Sequence, residues 1–405
     1  MKNIRLVVCG AGSRGSNVTL NVICALEGVS VVGVCDLRED FARILADKVA
    51  EKQGAVPEVY GDYRQMFEAL KPDAVFVATS FDAHVSISVC AMEMGIAVGV
   101  EVGGAAGPEE CLTLIDAYER TRTPFMFLEN CCYGKDELLA ESLAKHGVLG
   151  RVVYCHGSYM HDVRELVCRG AGKTYNFRFD EWTKSNADIY PTHDLGPIAK
   201  ILNINRGNRM VSLSSRASCA AGLHDYICRT EGLENIREHV FRQGDVVETI
   251  ISCENGELID LRLECTLPTY YSRELTVHGT RGLYHQDCNA VILDGPEDDS
   301  RKLLNNINSA EKYYDQYLPA IWKEVDAKML ETGHGGYDYL MFYSFIDALR
   351  KGEEMPIDVY DAAAWMSITY LTAQSIAQGG AAVEIPDFTK GAYKTRKPRP
   401  VVELD

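Results

Sequence analysis

Residues 188–197 read DIYPTHDLGP: a tyrosine, two prolines, a threonine and one histidine with acids on either side. A histidine titrates near neutral pH and can take a proton and return it, so His193 is a candidate proton-transfer group presented on a rigid loop; a satisfied loop or core histidine is the other reading. Near the start of the chain, Gly10, Gly12 and Gly15 form G-x-G-x-x-G behind the apolar run IRLVVC. Glycines at that spacing permit a tight turn and let backbone N–H groups approach a pyrophosphate where a helix begins. The next apolar run ends at Asp36, about twenty residues beyond the last glycine, where a carboxylate accepts hydrogen bonds from ribose hydroxyls and repels a 2′-phosphate. A dinucleotide is implied, NAD rather than NADP, with Arg38 the nearby residue that could hold a phosphate instead. The same reading takes in Ser13, Arg14, Thr79, His84, Glu101 and Asn130 as cofactor contacts.

These residues need strands and helices to position them. IRLVVC, VSVVGVCD, DAVFVATS, IAVGVEV and PFMFLEN are short β-rich runs, separated by stretches of helical periodicity such as LREDFARILADKVAEKQG and GPEECLTLIDAYERTR. Strands alternating with helices imply a parallel sheet covered on both faces. Beyond about residue 130 the pattern changes. GRVVYCHGSYMHD, MVSLSSRASCAA, DVVETIISCENGELIDLRLECTL and RELTVHGTRGLYHQD alternate with period two and contain glycine turns, which implies a mainly antiparallel sheet with one open face. The fold class is therefore α/β: a Rossmann NAD-binding domain over 1–130, and over 131–405 an α+β domain for substrate binding and oligomerisation, with helices at its C-terminal end. An open sheet face implies a homodimer or larger homo-oligomer.

Bulk properties narrow the partners. A net charge of −17 argues against nucleic acid, whose binding needs clustered cations, and favours a small molecule. No run reaches the ~18 apolar residues of a membrane helix, and the first residues lack the pattern of a secretory signal, so a cytoplasmic protein is expected. The fourteen cysteines follow no disulfide or zinc spacing and several lie in strand-like runs, which suggests free, mostly buried thiols. No metal site is expected: His156, His161 and Asp162 in HGSYMHD alternate across a strand.

A nucleotide-binding half followed by an open-sheet half resembles the glucose-fructose oxidoreductase and inositol dehydrogenase superfamily. Its ordinary dehydrogenases carry Glu-Lys-Pro and D-x-x-x-H motifs. Here the first reads Glu101-Val102-Gly103, and Ile189 stands four residues before His193. The runs LENCCYG, GSYMHDVR, YPTHDLGP, NINRGNRM, GLHDYI, GHGGYDY and DVYDAAAWMSITYL, in that order, resemble glycoside hydrolase family 109, the NAD-dependent α-N-acetylgalactosaminidases, over nearly the whole chain. Three positions depart from that family: Glu181 replaces the histidine of W-R-x-x-H, Tyr270 the proline before Tyr271, and Ala221 an arginine often seen before G-L-H. By that resemblance they fall where a sugar or leaving group would be recognised.

The resemblance implies glycoside cleavage by a redox detour. Oxidation of the sugar 3-hydroxyl acidifies the hydrogen on carbon 2, the carbon-1 substituent is eliminated, water adds, and the ketone is reduced again, so NAD is recycled. By resemblance, the functional residues are Glu129, Tyr159, Arg178, Tyr190, His193 and Tyr271. His193 would accept the 3-hydroxyl proton, with Tyr190 positioning it. Tyr159 would be the base at carbon 2, which requires a lowered phenol pKa, supplied by Arg178 or the oxidised nicotinamide. Glu129 would protonate the leaving oxygen. Arg178, Tyr271 and His334 would contact the sugar, although the glycines around His334 equally suit a turn. The alternatives are an NAD-dependent sugar or cyclitol dehydrogenase with net NADH production, and a nucleotide-sensing protein without turnover.

Overall fold

The computed structural model describes residues 3–170, 176–295, 302–324 and 332–404; the outermost limits of the expected domains, 1 and 405, lie outside them. Two compact units are present. The first runs to Gly134 and also takes Ala320–Ala363 and Pro400–Glu403; the second is formed chiefly by Lys135–Pro319 and Ala364–Arg399.

Six strands build the first unit: β1 (Ile4–Cys9), β2 (Val29–Cys35), β3 (Glu58–Tyr60), β4 (Ala74–Val77), β5 (Ala97–Glu101) and β6 (Phe125–Leu128). They pair in parallel in the order β3-β2-β1-β4-β5-β6. The order reverses between β1 and β4, which is where an open parallel sheet presents its ligand crevice. β4, β5 and β6 are buried at every position, as expected for strands covered by helices on both faces. The helix Ser13–Asn21 opens inside the glycine fingerprint rather than after it, capped by Gly12. The helix Glu39–Gln53 stops at Gly54 in the left-handed conformation.

A single boundary near residue 130 misses one piece of this unit. The helix Tyr337–Lys351 supplies Phe342, which meets Phe76 edge to face at 5.0 Å, and Phe345, whose ring a side chain at Gly99 would approach within 3.2 Å. Local periodicity identifies that helix but not the sheet it covers.

The second unit contains β7 (Val152–Met160), β8 (Met210–Ala217), β9 (Val246–Cys253), β10 (Leu258–Glu264), β11 (Thr276–Gly279), β12 (Gly282–His285), β13 (Ala290–Leu293) and β14 (Val383–Glu384). Their order is β13-β12-β11-β7-β10-β9-β8-β14, with β7 and β10 parallel and the other pairs antiparallel. On β9 and β10 the residues Val247, Ile251, Ile259, Leu261 and Leu263 are buried, while Ile250 and Leu258 on the opposite face are exposed.

The run containing His193 is helical rather than a loop: Thr192–Ile201 forms a helix behind Pro191, so His193 lies in its first turn. This helix lies close on β7 because Gly157 faces it. A side chain there would meet Cβ of Asp194 and Cδ1 of Ile198, both at 3.0 Å. Gly157, two residues before Tyr159 on the same strand face, thus sets the separation between Tyr159 and the His193 turn. Among the described residues no helix is long and apolar enough to cross a membrane. All fourteen cysteines are free, and nine are buried.

Candidate functional site

In the first unit the fingerprint glycines form a cradle. Gly10 has φ +101°, and a side chain on it would strike the Ala78 carbonyl oxygen at 2.4 Å; one on Gly15 would strike the Gly10 carbonyl oxygen at 1.9 Å. Gly12, by contrast, faces open space. Gly12 caps the helix that begins at Ser13 and leaves space beside its start, where a pyrophosphate would be held. Asp36 stands just past β2, with Oδ2 accepting from the Ala11 N–H (2.7 Å) and Oδ1 from the Arg38 N–H (2.8 Å). Each oxygen keeps a second lone pair for a ribose hydroxyl. These residues fit a dinucleotide.

Arg38 does not turn toward that carboxylate. Its guanidinium grips Asp40 through two bonds of 3.0 and 2.7 Å and lies over the Phe41 ring. His84 is buried beneath the cradle, with Nε2 3.1 Å from the Thr79 carbonyl oxygen, and burial lowers it to about 4, so it is neutral at pH 7. It supports the Thr79 loop from within. Thr79 itself bonds the Ser80 carbonyl through its hydroxyl.

Three of the expected residues, Arg14, Asn130 and His334, meet at Asp338, which no motif in the sequence singles out. Asp338 is fully buried in the first turn of the helix Tyr337–Lys351. Arg14 donates to both its oxygens, at 2.7 and 2.8 Å, and Asn130 Nδ2 donates to Oδ1 at 2.8 Å. His334 Nδ1 lies 2.9 Å from Oδ2. A carboxylate only accepts, so this nitrogen carries the proton, and the longer approaches of Arg14 and Asn130 to it are contacts rather than hydrogen bonds. Arg14 Nε also donates to Glu101 at 2.8 Å. Burial works to raise the Asp338 carboxyl, but hydrogen bonds from His334 and Arg14, with their charge, outweigh it and hold the group well below the usual carboxylate range. The local signal is the four-residue spacing of His334 and Asp338 in GHGGYDY, bridged by a left-handed turn before the helix starts. His334, expected at the sugar, is placed among cofactor candidates. Glu129 follows β6, fully buried, and its Oε1 accepts from the Cys131 N–H at 3.0 Å.

The second unit gathers aromatic residues. Tyr159, near the end of β7, stacks on Tyr190 with ring centres 4.9 Å apart and planes 13° from parallel. His193 lies 5.2 Å from Tyr159 and 5.1 Å from Tyr190. Tyr271 stands edge-on to Tyr159 at 6.4 Å, its hydroxyl accepting from Arg273 at 3.0 Å; Arg273 is in turn paired with buried Glu137. Arg178 lies in the first turn of the helix Phe177–Lys184, which Asn176 caps. Its charge works to lower the Tyr159 phenol but is outweighed. Burial, followed by Tyr190, Cys265 and Tyr271, raises that phenol well above its ordinary range, and Arg178 opposes them only in part. Arg178 by itself therefore does not give Tyr159 the expected lowered phenol.

Two further residues belong here. His161 Nδ1 is 2.9 Å from the Tyr159 hydroxyl, on the strand face of Tyr159; His156, five residues earlier, is on the other face, 3.3 Å from Asp260. Asp188, one residue before the place of the dehydrogenase aspartate, is buried and accepts from the Tyr190 N–H, and burial raises its carboxyl well above the usual range.

The family profile described as glycosyl hydrolase 109, C-terminal domain, matches residues 133–395. An α-N-acetylgalactosaminidase of Tannerella forsythia is 34% identical over 98% of this chain and 88% of its own. The chain belongs to glycosyl hydrolase family 109. The profile of the oxidoreductase family with an NAD-binding Rossmann fold matches residues 4–127 of this family 109 protein. An α-N-acetylgalactosaminidase of Shewanella oneidensis is 31% identical over 99% of this chain and 88% of its own. A solved levoglucosan dehydrogenase, in complex with NADH and levoglucosan, shares the fold at a TM-score of 0.70 and 18% identity, covering 95% of this chain and all of that one.

Proposed function

We propose that this family 109 protein cleaves glycosides, with an α-linked N-acetylgalactosamine or a related hexose as substrate, and that NAD is its recycled cofactor. A bound nicotinamide supplies a hydride acceptor at the sugar's carbon 3 and restores the hydride at the end. The glycine cradle, Ser13 and the Asn130–Asp338–Arg14–Glu101 network hold the dinucleotide, and Asp36 takes the ribose hydroxyls. Two observations support NAD over NADP: a carboxylate stands where a 2′-phosphate would come, and Arg38 is occupied by Asp40.

His193 accepts the 3-hydroxyl proton and returns it, held by its helix turn against the stacked tyrosines. Tyr159 takes the hydrogen from carbon 2. Glu129 protonates the leaving oxygen, and Arg178 and Tyr271 hold the sugar. The packing of Tyr159, Tyr190 and His193 within 4.9 to 5.2 Å of one another carries this reading, because it sets a proton acceptor beside a phenol with no lysine or D-x-x-x-H aspartate in the motifs. A second copy covering the outer face of the eight-stranded sheet, where Ile250 and Leu258 are exposed, completes the proposal.

The test is to incubate the protein with aryl α- and β-glycosides, with and without added NAD, following phenol release and free NADH together. Phenol release without NADH accumulation supports the glycosidase and names its sugar. Stoichiometric NADH without cleavage refutes it in favour of a dehydrogenase.

A further inference from the structure

The role proposed for Tyr159 at carbon 2, on which this proposal rests, requires a buried tyrosine to act as a base. The Tyr159 side chain is almost wholly enclosed, whereas His161, two residues on and just past the end of β7, is half-buried. The backbone N–H of His161 donates to the Glu264 carbonyl at 3.0 Å, which continues the β7–β10 pairing and fixes where the imidazole can reach. Its Nδ1 lies 2.9 Å from the Tyr159 hydroxyl, and Tyr271 stands edge-on to its ring at 5.0 Å. The neighbouring Asp162 is bound by both arms of Arg164.

A neutral phenol has one proton to donate, and Nδ1 has a lone pair to receive it when the imidazole carries its own proton on Nε2. We propose that His161 is the acceptor of the Tyr159 proton, so that the phenol relays the hydrogen of carbon 2 to a group in reach of water. The bond between carbon 2 and hydrogen breaks, and its proton goes to the Tyr159 oxygen. The phenolic proton passes to His161 Nδ1, while the electron pair from carbon 2 is taken up by the adjacent 3-ketone as an enolate. Imidazole becomes imidazolium and the tyrosine ends neutral. No phenolate has to persist in the enclosed site.

The surroundings agree with this assignment. Tyr190, Cys265 and Tyr271 disfavour a negative phenol, and Arg178 offsets them only in part. The ordinary pKa of histidine is ~6.5 and that of tyrosine ~10, so near neutral pH an imidazole is ordinarily neutral and able to accept a proton while a phenol keeps its own. His193 faces the same phenol ring at 5.2 Å and retains its separate task at the 3-hydroxyl. His161 acts through Tyr159 and is a positioning residue; Tyr159 alone meets the reacting hydrogen.

The experiment uses the full chain loaded with NAD, p-nitrophenyl α-N-acetylgalactosaminide as probe, and deuterated water. It compares the wild type with His161→Gln, Tyr159→Phe and the double variant. Glutamine can still accept the phenol's hydrogen bond but cannot hold its proton. The expected result is that His161→Gln still reduces bound nicotinamide but exchanges the carbon-2 hydrogen ~10²- to 10⁴-fold more slowly, the range for general-base catalysis. Its exchange rate also loses the rise through the histidine range shown by the wild type. The double variant should be no slower than Tyr159→Phe alone, because the two residues form one relay. Wild-type exchange rates in His161→Gln, or multiplying losses in the double variant, overturn the relay and leave the proposed function standing. Absence of carbon-2 exchange in the wild type overturns both.

Discussion

Replacing Asp338 with asparagine removes the charge at the centre of the first unit's polar network while nearly keeping its shape. The carboxylate accepts two bonds from Arg14, one from Asn130 and one from His334, and has no exposure of its own. Breaking a fully buried ion pair costs roughly 3–5 kcal/mol. Here Arg14 retains 30% exposure and keeps Glu101 as a second partner, so part of that cost is screened and roughly 2–3 kcal/mol remains. For a unit of this size that corresponds to a fall in Tm of roughly 5–10 °C. The pH dependence has a definite sign. The folded Asp338 is held below its unfolded value of ~3.9, so its stabilisation is complete above that value and is lost as pH falls toward the depressed folded value. Scanning calorimetry from neutral pH down to well below ~3.9 should show Asp338→Asn less stable at neutral pH, with the gap to the wild type narrowing only once pH falls below that value. NAD titration should show affinity weakened by about tenfold, as Arg14 and Asn130 lose their common anchor. A variant that melts within a degree of the wild type at neutral pH and binds NAD equally well would refute the account of Asp338 as an anchor.

Three other outcomes follow from described contacts. His193→Ala should still bind NAD but lose reduction of the bound cofactor by ~10²- to 10⁴-fold, and full reduction by any cleaved glycoside would remove His193 from the mechanism. Asp40→Asn should free Arg38 and raise NADP affinity several-fold with little change for NAD; unaltered NADP binding would mean that Arg38 is not restrained by this pair. Gly157→Val, which drives a branched side chain into Asp194 and Ile198, should destabilise the second unit by roughly 1–3 kcal/mol and lower turnover by moving His193 from Tyr159. Unfolding by denaturant together with phenol release checks both effects.

The parts of the molecule legible in the sequence are those whose signal is local. The fingerprint glycines, Asp36 and the alternation of β9 and β10 each lie in one short run, and the structure forms them as those runs suggest. The turn holding His193 was less legible, because prolines at 191 and 197 read as loop signals although the first caps a helix start and the second is tolerated within it. The direction of the Tyr159 shift depends on enclosure by residues far apart in sequence, Tyr190, Cys265 and Tyr271, which no window around GSYMHD contains. Asp338 illustrates the same limit: its partners Arg14 and Asn130 precede it by hundreds of residues, and only the His334 spacing is local. The strand parity of HGSYMHD separates His161 from His156, but parity cannot reveal which neighbouring phenol an imidazole meets.

The return of Ala320–Ala363 to the first unit also orders events during synthesis. Domains of a nascent chain generally fold from the N-terminus as they emerge, but this one cannot be completed on that schedule. When the ribosome has made the six parallel strands, Phe342 and Phe345 do not yet exist to cover Phe76 and Gly99, and Arg14 has no Asp338. The nucleotide-binding unit must wait, partly uncovered, while the whole segment to Pro319 is translated. A chain stopped there should therefore be a poor nucleotide binder and a substrate for chaperones, even though every glycine of its fingerprint is present.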